Sequence, residues 1–237
     1  MSQQNIQALN KTAHAKTKIK TQSNFPHAAS QHLAPVVVHE FSRAAAEFPV
    51  VFVKTGDTDK FQPVALFGIK PGENLYTATE KWEGTYAPAS VTQFPFALIP
   101  EKKDAENLMV VIATDNAIVN EEEGNALFED NGDESEYLTR RKEALGKYFE
   151  HSHITKGFTQ TLAEKGLLMQ QNLDITANGE KIQINGLYLV NEQKLNELSD
   201  EDYLDLRKRG FLAPIYAHLN SIHQINRLVK KKVALSA

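Results

Sequence analysis

Three short apolar runs constrain the fold class before any motif is considered. Residues 50–54 (VVFVK), 63–69 (PVALFGI) and 108–114 (LMVVIAT) are rich in β-branched side chains and have the length of buried strands. Residues 35–41 (PVVVHEF) and 74–79 (NLYTAT) read as strands too. The links between the first runs are short. Gly56-Asp57-Thr58-Asp59 follows one run as a turn, and Lys70-Pro71-Gly72-Glu73 follows the next. A parallel pair needs a crossover of roughly a dozen residues or more, which these links do not supply. The N-terminal half is therefore expected to form an antiparallel meander, with one or two helical turns between Phe41 and Phe48, ended by Pro49.

The second half changes period. Residues 120–136 carry Glu121, Glu122, Glu123, Glu129, Asp130, Asp133, Glu134 and Glu136 with no basic residue among them. From Glu136 the apolar spacing is helical: Leu138, Leu145, Tyr148 and Phe149 share one face, and Ile154, Phe158, Leu162 and Leu167 mark a second helix ending near Gly166. Residues 173–190 alternate around Asn178-Gly179, the signature of a two-residue type I′ hairpin. Asn191 and Ser199 are N-cap candidates, with Asp202 placed for a capping box, and Gly210 suits the end of a helix closing on Arg207-Lys208-Arg209. A last helix is expected over 211–230. The fold class is α+β: an antiparallel β-meander in the N-terminal half, helices plus a β-hairpin in the C-terminal half. Residues 1–30 read as a flexible polar tail, because Lys11, Lys16, Lys18 and Lys20 stand among few large apolar groups. Residues 31–237 read as a single domain, β-rich over 31–118, with an acidic loop over 119–136 and a helical part with the hairpin over 137–232.

Composition removes several function classes. A net charge of −4 gives no basic field for nucleic acid, and the absence of cysteine removes disulfides, thiolate metal sites and cysteine nucleophiles. The N-terminus has no apolar leader core, and no run approaches the ~18 apolar residues of a membrane helix. The expectation is a cytoplasmic protein without membrane insertion, with signal-independent export left open. Neither a G-x-x-x-x-G-K-[ST] phosphate loop nor a G-x-S-x-G elbow occurs. The acidic run misplaces Gly132 for a calcium loop, so no metal and no cofactor are expected.

Two groups of residues remain as site candidates. Residues 81–100 (KWEGTYAPASVTQFPFALIP) hold the only tryptophan, and carry no charge between Glu83 and Glu101. Three prolines preset backbone angles there and push Ala87, Phe94 and Ile99 extended, so the segment loses less entropy on ordering. Trp82, Tyr86, Phe94 and Phe96 could wall a ligand or partner surface, or simply seal the sheet as core. His218 and His223 are the candidates for proton transfer, although their spacing of five is poor for one helix face.

From about His32 to Lys230 the chain resembles the SapC-like bacterial proteins. The residues that carry the likeness are VHEFSRAAAEFPVVFVK, VALFGIKPGENLY, KWEGTYAPASVTQFPFAL, EGNALFEDNG and LSDEDYLDLRKRGFLAPIYAHLNSIHQINRLV. The family usually has basic residues just before a Tyr-Pro-Phe; Thr92-Gln93-Phe94-Pro95-Phe96 stands in that place here. The likeness implies a bacterial peptide- or envelope-related context, the family name deriving from surface layers, and it brings no catalytic residues with it. Three readings stay open. One is a non-catalytic binding or accessory protein that recognises a peptide, protein or small aromatic ligand through the proline-aromatic segment. Another is an enzyme for peptides or aromatic metabolites, with a dispersed site pairing His218 or His223 with a carboxylate. The third is a self-associating surface-layer component. A bacterial protein or peptide is the expected partner.

Overall fold

The computed structural model describes residues 5–56, 60–79, 81–101 and 107–235. The turn expected at Gly56–Asp59 lies mostly outside them. In chain order the strands are β1 (Ile6–Ala8), β2 (Lys18–Ile19), β3 (Leu33–Pro35), β4 (Val50–Lys54), β5 (Phe61–Leu66), β6 (Phe96–Pro100), β7 (Leu108–Ala113), β8 (Val119–Asn120), β9 (Asn125–Ala126), β10 (Leu168–Ala177) and β11 (Glu180–Val190). The helices are α1 (Phe41–Ala45), α2 (Ala89–Thr92), α3 (Glu136–Glu164), α4 (Glu192–Asn196), α5 (Asp200–Lys208), α6 (Leu212–Ser221) and α7 (Ile225–Ala234). The protein is α+β with antiparallel sheets. The structure gathers into two compact units. The first combines the chain up to Ser23 with Val91–Glu150; the second combines Asn24–Ser90 with the chain from His151 onward.

In the second unit the strand order is β10-β11-β4-β5-β3, every pair antiparallel. The C-terminal hairpin joins the N-terminal meander by pairing Leu187 with Val53 and Tyr188 with Phe52. Its turn is the one expected: Asn178 and Gly179 both take positive φ, at 52° and 77°. Phe41, Phe48, Phe52, Phe67, Tyr76 and Phe158 are fully buried in this unit, each burial contributing about 1.5–3 kcal/mol.

Two expected strands are corrected here. Residues 35–41 leave the sheet after Pro35: the backbone is still extended at Val37, whose N donates to the carboxylate of Glu40 at 3.1 Å, and then coils into a 3-10 turn at Val38–Glu40. Residues 74–79 turn instead of pairing: the side chain of Asn74 accepts from Tyr76 N and donates to Ala28 O, both at 2.9 Å.

The first unit holds two small sheets, ordered β1-β7-β6 and β8-β2-β9. Its core is Ile19, Phe96, Ile112, Ile118, Leu127, Phe128, Leu138 and Leu145. The segment expected as a flexible tail supplies β1 and β2. Ile19 is buried in the core, and the flanking lysines reach the acidic run: Lys20 pairs with Glu123 and Lys18 Nζ donates to Glu122 O at 3.1 Å. The burial of Ile19, pairing on both sides with β8 and β9, and lysine contacts to the acidic link between those strands offset the ordering entropy that the segment's own composition cannot.

Residues 136–164 form one helix, not two. Its buried apolar positions change phase between Leu145 and Phe158, which reads in sequence as a break, yet no proline interrupts it. It ends as expected, with Gly166 at φ 63° and Leu167 N donating to Leu162 O at 2.9 Å. The helix expected over 211–230 is divided by a 3-10 turn at Ile222–Gln224. No helix among the described residues is long and apolar enough to cross a membrane.

Candidate functional site

The aromatic segment belongs partly to each unit. Residues up to Ser90 count with the second, and the rest with the first. In the second unit its local shape is dictated by two glutamates that stand in otherwise apolar sequence. Glu40, 4% exposed, accepts through Oε1 from the Tyr86 hydroxyl and from Ala89 N at 2.8 Å, and through Oε2 from Val37 N. Glu47, also 4% exposed, accepts through Oε2 from Thr85 Oγ1 at 2.7 Å and through Oε1 from Arg227 Nη1 at 2.6 Å. Ser90 Oγ donates to Pro35 O at 2.7 Å. The segment from Thr85 to Ser90 is thus sewn down by side-chain bonds on either side of Tyr86. Buried carboxylates are tolerable when their lone pairs are filled in this way.

Trp82 closes the same loop on itself. Its Nε1 donates to Tyr86 O at 2.9 Å. A Cβ built on Gly84 would lie 2.6 Å from that Nε1 and 3.0 Å from Tyr86 O, so only glycine fits inside the loop. The indole stacks on Tyr76 at 5.4 Å between centroids and meets Phe67 and Phe25 edge-on at 5.3 and 5.6 Å. Tyr76 beneath it donates to Glu47 O at 2.9 Å. Burial first, and the Glu47 charge second, push its phenol well above the usual range, with Arg227 opposing. Lys231 Nζ stands 4.7 Å over the Tyr76 ring and pairs with Glu83 at 2.6 Å. Arg43 covers the Tyr86 ring at 4.9 Å. Trp82 and Tyr86 are each only half-buried.

The other two rings sit in the first unit. Phe96 lies in β6 opposite Ile112, 4% exposed, and is core. Phe94 is half-buried against the same core. Beside them Arg141 donates from Nη2 to Thr92 O at 2.7 Å and lies 5.8 Å from the Phe96 ring centroid. The four residues therefore do not act as one equal surface: Phe96 is a packing residue, and the half-buried ones are Trp82, Tyr86 and Phe94.

The two candidate histidines stand in different surroundings. His218 is fully buried; its Nδ1–H donates to Val50 O at 2.6 Å and its Nε2 accepts from Val190 N at 3.0 Å. Burial lowers its pKa to about 4, the bond to Val50 opposing. It is a neutral bracket joining α6 to β4 and β11, with neither nitrogen left for proton transfer. His223 is exposed on the 3-10 turn. Neither forms an ion pair with a carboxylate among the described residues. His39 and His151 stack face to face at 3.7 Å, an arrangement that turns their rings parallel rather than toward a shared ion. No group of three His, Asp or Glu side chains among the described residues could hold a metal.

Sequence reasoning missed Glu40, Glu47 and Arg141. The first two had a legible signal, since a glutamate inside VVVHEFSRAAAEFPVVF must find donors or face solvent. Arg141 had none, being one charge among many on a long helix.

The family model described as SapC matches residues 9–228. Among curated proteins and solved structures, none matches the chain. The chain belongs to the SapC family.

Proposed function

We propose that this SapC-family chain is a non-catalytic binding protein of a bacterial peptide- or envelope-related system, which holds an aromatic or peptide ligand against Trp82 and Tyr86. One observation carries the reading. The polar atoms of these side chains are used inward, on Tyr86 O and on Glu40, while each residue is only half-buried. Rings fixed in this way lose little freedom when a ligand covers them, which is how preorganisation raises affinity. The bonding of His218 lends no support to a dispersed His/carboxylate enzyme.

The single tryptophan makes the test direct. Acetylated aromatic dipeptide amides are titrated into the full chain and Trp82 fluorescence is followed. Saturable change is expected with the wild type. It should be retained by Tyr86→Phe, which keeps the ring, and weakened roughly tenfold or more by Tyr86→Ala, a loss of about 1.4 kcal/mol. A flat response across the dipeptides in folded wild-type protein would reject the reading.

A further inference from the structure

We propose that Arg141 is the anion-recognising group of a site for carboxylate ligands with an apolar or aromatic body, a proposal that rests on the reading of the chain as a binding protein and names its ligand class. The guanidinium is half-buried on the first-unit stretch of α3. It carries five N–H donors in a rigid plane. Among the described residues it finds a single acceptor, Thr92 O at 2.7 Å, and no carboxylate within ion-pair reach. Its Nε is the one buried side-chain polar atom among the described residues with no hydrogen-bond partner. The flanking cations on the same helix are treated differently: Arg140 pairs with Glu136, and Lys142 with Glu134 at 2.7 Å.

A half-buried cation without a counter-ion is a cost that the fold does not relieve from its own side chains. A carboxylate meets it in kind, because its two oxygens match the fork of a guanidinium edge and take up donors that now have no acceptor. A lone cation suits a monoanion rather than a phosphate dianion. The neighbours specify the rest of the ligand. The Phe96 ring, 5.8 Å from the guanidinium carbon, is core; Phe94 and Tyr137 are half-buried against that same core, and Tyr137 stands one helical turn before Arg141. Burial raises the Tyr137 phenol above its usual range while the Arg141 charge opposes, so the phenol stays protonated and able to donate. One guanidinium edge, one phenol and apolar ring surface make the chemistry of an aromatic carboxylate or of a peptide C-terminus ending in an aromatic residue.

The test uses the isotopically labelled full chain and nuclear magnetic resonance. Five probes are compared: 3-phenylpropionate, its neutral amide, a short peptide ending in two phenylalanines with a free C-terminus, the same peptide amidated, and inorganic phosphate. Shifts at residues 92–96 and 137–142 are expected with the two carboxylates, at least tenfold weaker with both amides and with phosphate. The tighter of the two carboxylates tells a free aromatic acid from a peptide end. Arg141→Met should abolish the preference for acid over amide, and Arg141→Lys, which keeps the charge and loses the fork, should weaken it at least tenfold while its amide spectrum shows an intact fold. Equal binding of acid and amide, phosphate binding as tight as phenylpropionate, or shifts that persist in Arg141→Met would each overturn the site. Amides that still quench Trp82 while showing no acid preference at residues 92–96 would remove the Arg141 site and leave the binding reading standing.

Discussion

The two units treat buried charge in opposite ways. The second buries Glu40 and Glu47 almost completely and fills both carboxylates with donors from Val37, Tyr86, Ala89, Thr85 and Arg227. The first half-buries Arg141 and leaves one of its donors without an acceptor. A saturated buried charge is an instrument of folding: it defines where a loop runs, and little remains for a ligand. An unsaturated one contributes little to folding and keeps its bonding capacity for something outside the chain.

The comparison can be broken by substitution. The largest effect is expected from Glu40→Ala, which removes the carboxylate that Val37 N, the Tyr86 hydroxyl and Ala89 N all donate to. Denaturant unfolding should show a loss of about 3–5 kcal/mol, and a loss below roughly 1 kcal/mol would mean that water replaces the carboxylate and that the hub is not structural.

The next effect comes from pH. His218 is held neutral down to about 4, against its usual 6.5. Between those values the unfolded chain binds the proton and the folded chain does not, so stability falls as pH drops from 6.5 toward 4. The contribution amounts to about 3 kcal/mol across that window. Urea titrations at several pH values should show this slope in the wild type and a shallower one in His218→Gln; identical slopes would assign the pH dependence elsewhere.

Tyr86→Phe removes one bond to Glu40 and keeps the ring. A loss of about 1.5–2.5 kcal/mol is expected for a hydrogen bond to a charged group. Gly179→Ala places a side chain at φ 77° with open space around it, so only backbone strain acts, and thermal unfolding should report about 1 kcal/mol. The smallest effect belongs to the other side of the comparison. Arg141→Met should change stability by less than about 1 kcal/mol, because an uncompensated cation is exchanged for an apolar chain of similar reach. A loss on the scale of Glu40→Ala would show that Arg141 is structural after all.

What could be read in advance follows the range of the forces involved. Asn178-Gly179, Asn191, Ser199, Gly166 and Gly210 act within a few residues of themselves, and each behaves as its local chemistry dictates: Asn191 and Ser199 accept from Lys194 N and Asp202 N, and Gly210 takes φ 72°. The strands at 50–54 and 108–113 were legible for the same reason, since β-branched runs limit their own backbone. The family likeness was legible in the quoted motifs. The candidate site was legible only in part. Trp82 and Tyr86 stood out by type, but Phe96 looked the same and proved to be core.

The sequence by itself determined the α+β class, the antiparallel hairpin and the helix caps at Asn191, Ser199, Gly166 and Gly210, because these depend on side-chain period and on φ preferences that each residue carries with it. Only the tertiary structure decided which charges were satisfied. Lys18 and Lys20 meet Glu122 and Glu123 across about a hundred positions, Glu47 meets Arg227 across 180, and Arg141 meets no counter-ion among the described residues. Partners so far apart in the chain are brought together by the packing of the core, and the sequence holds no local record of that meeting.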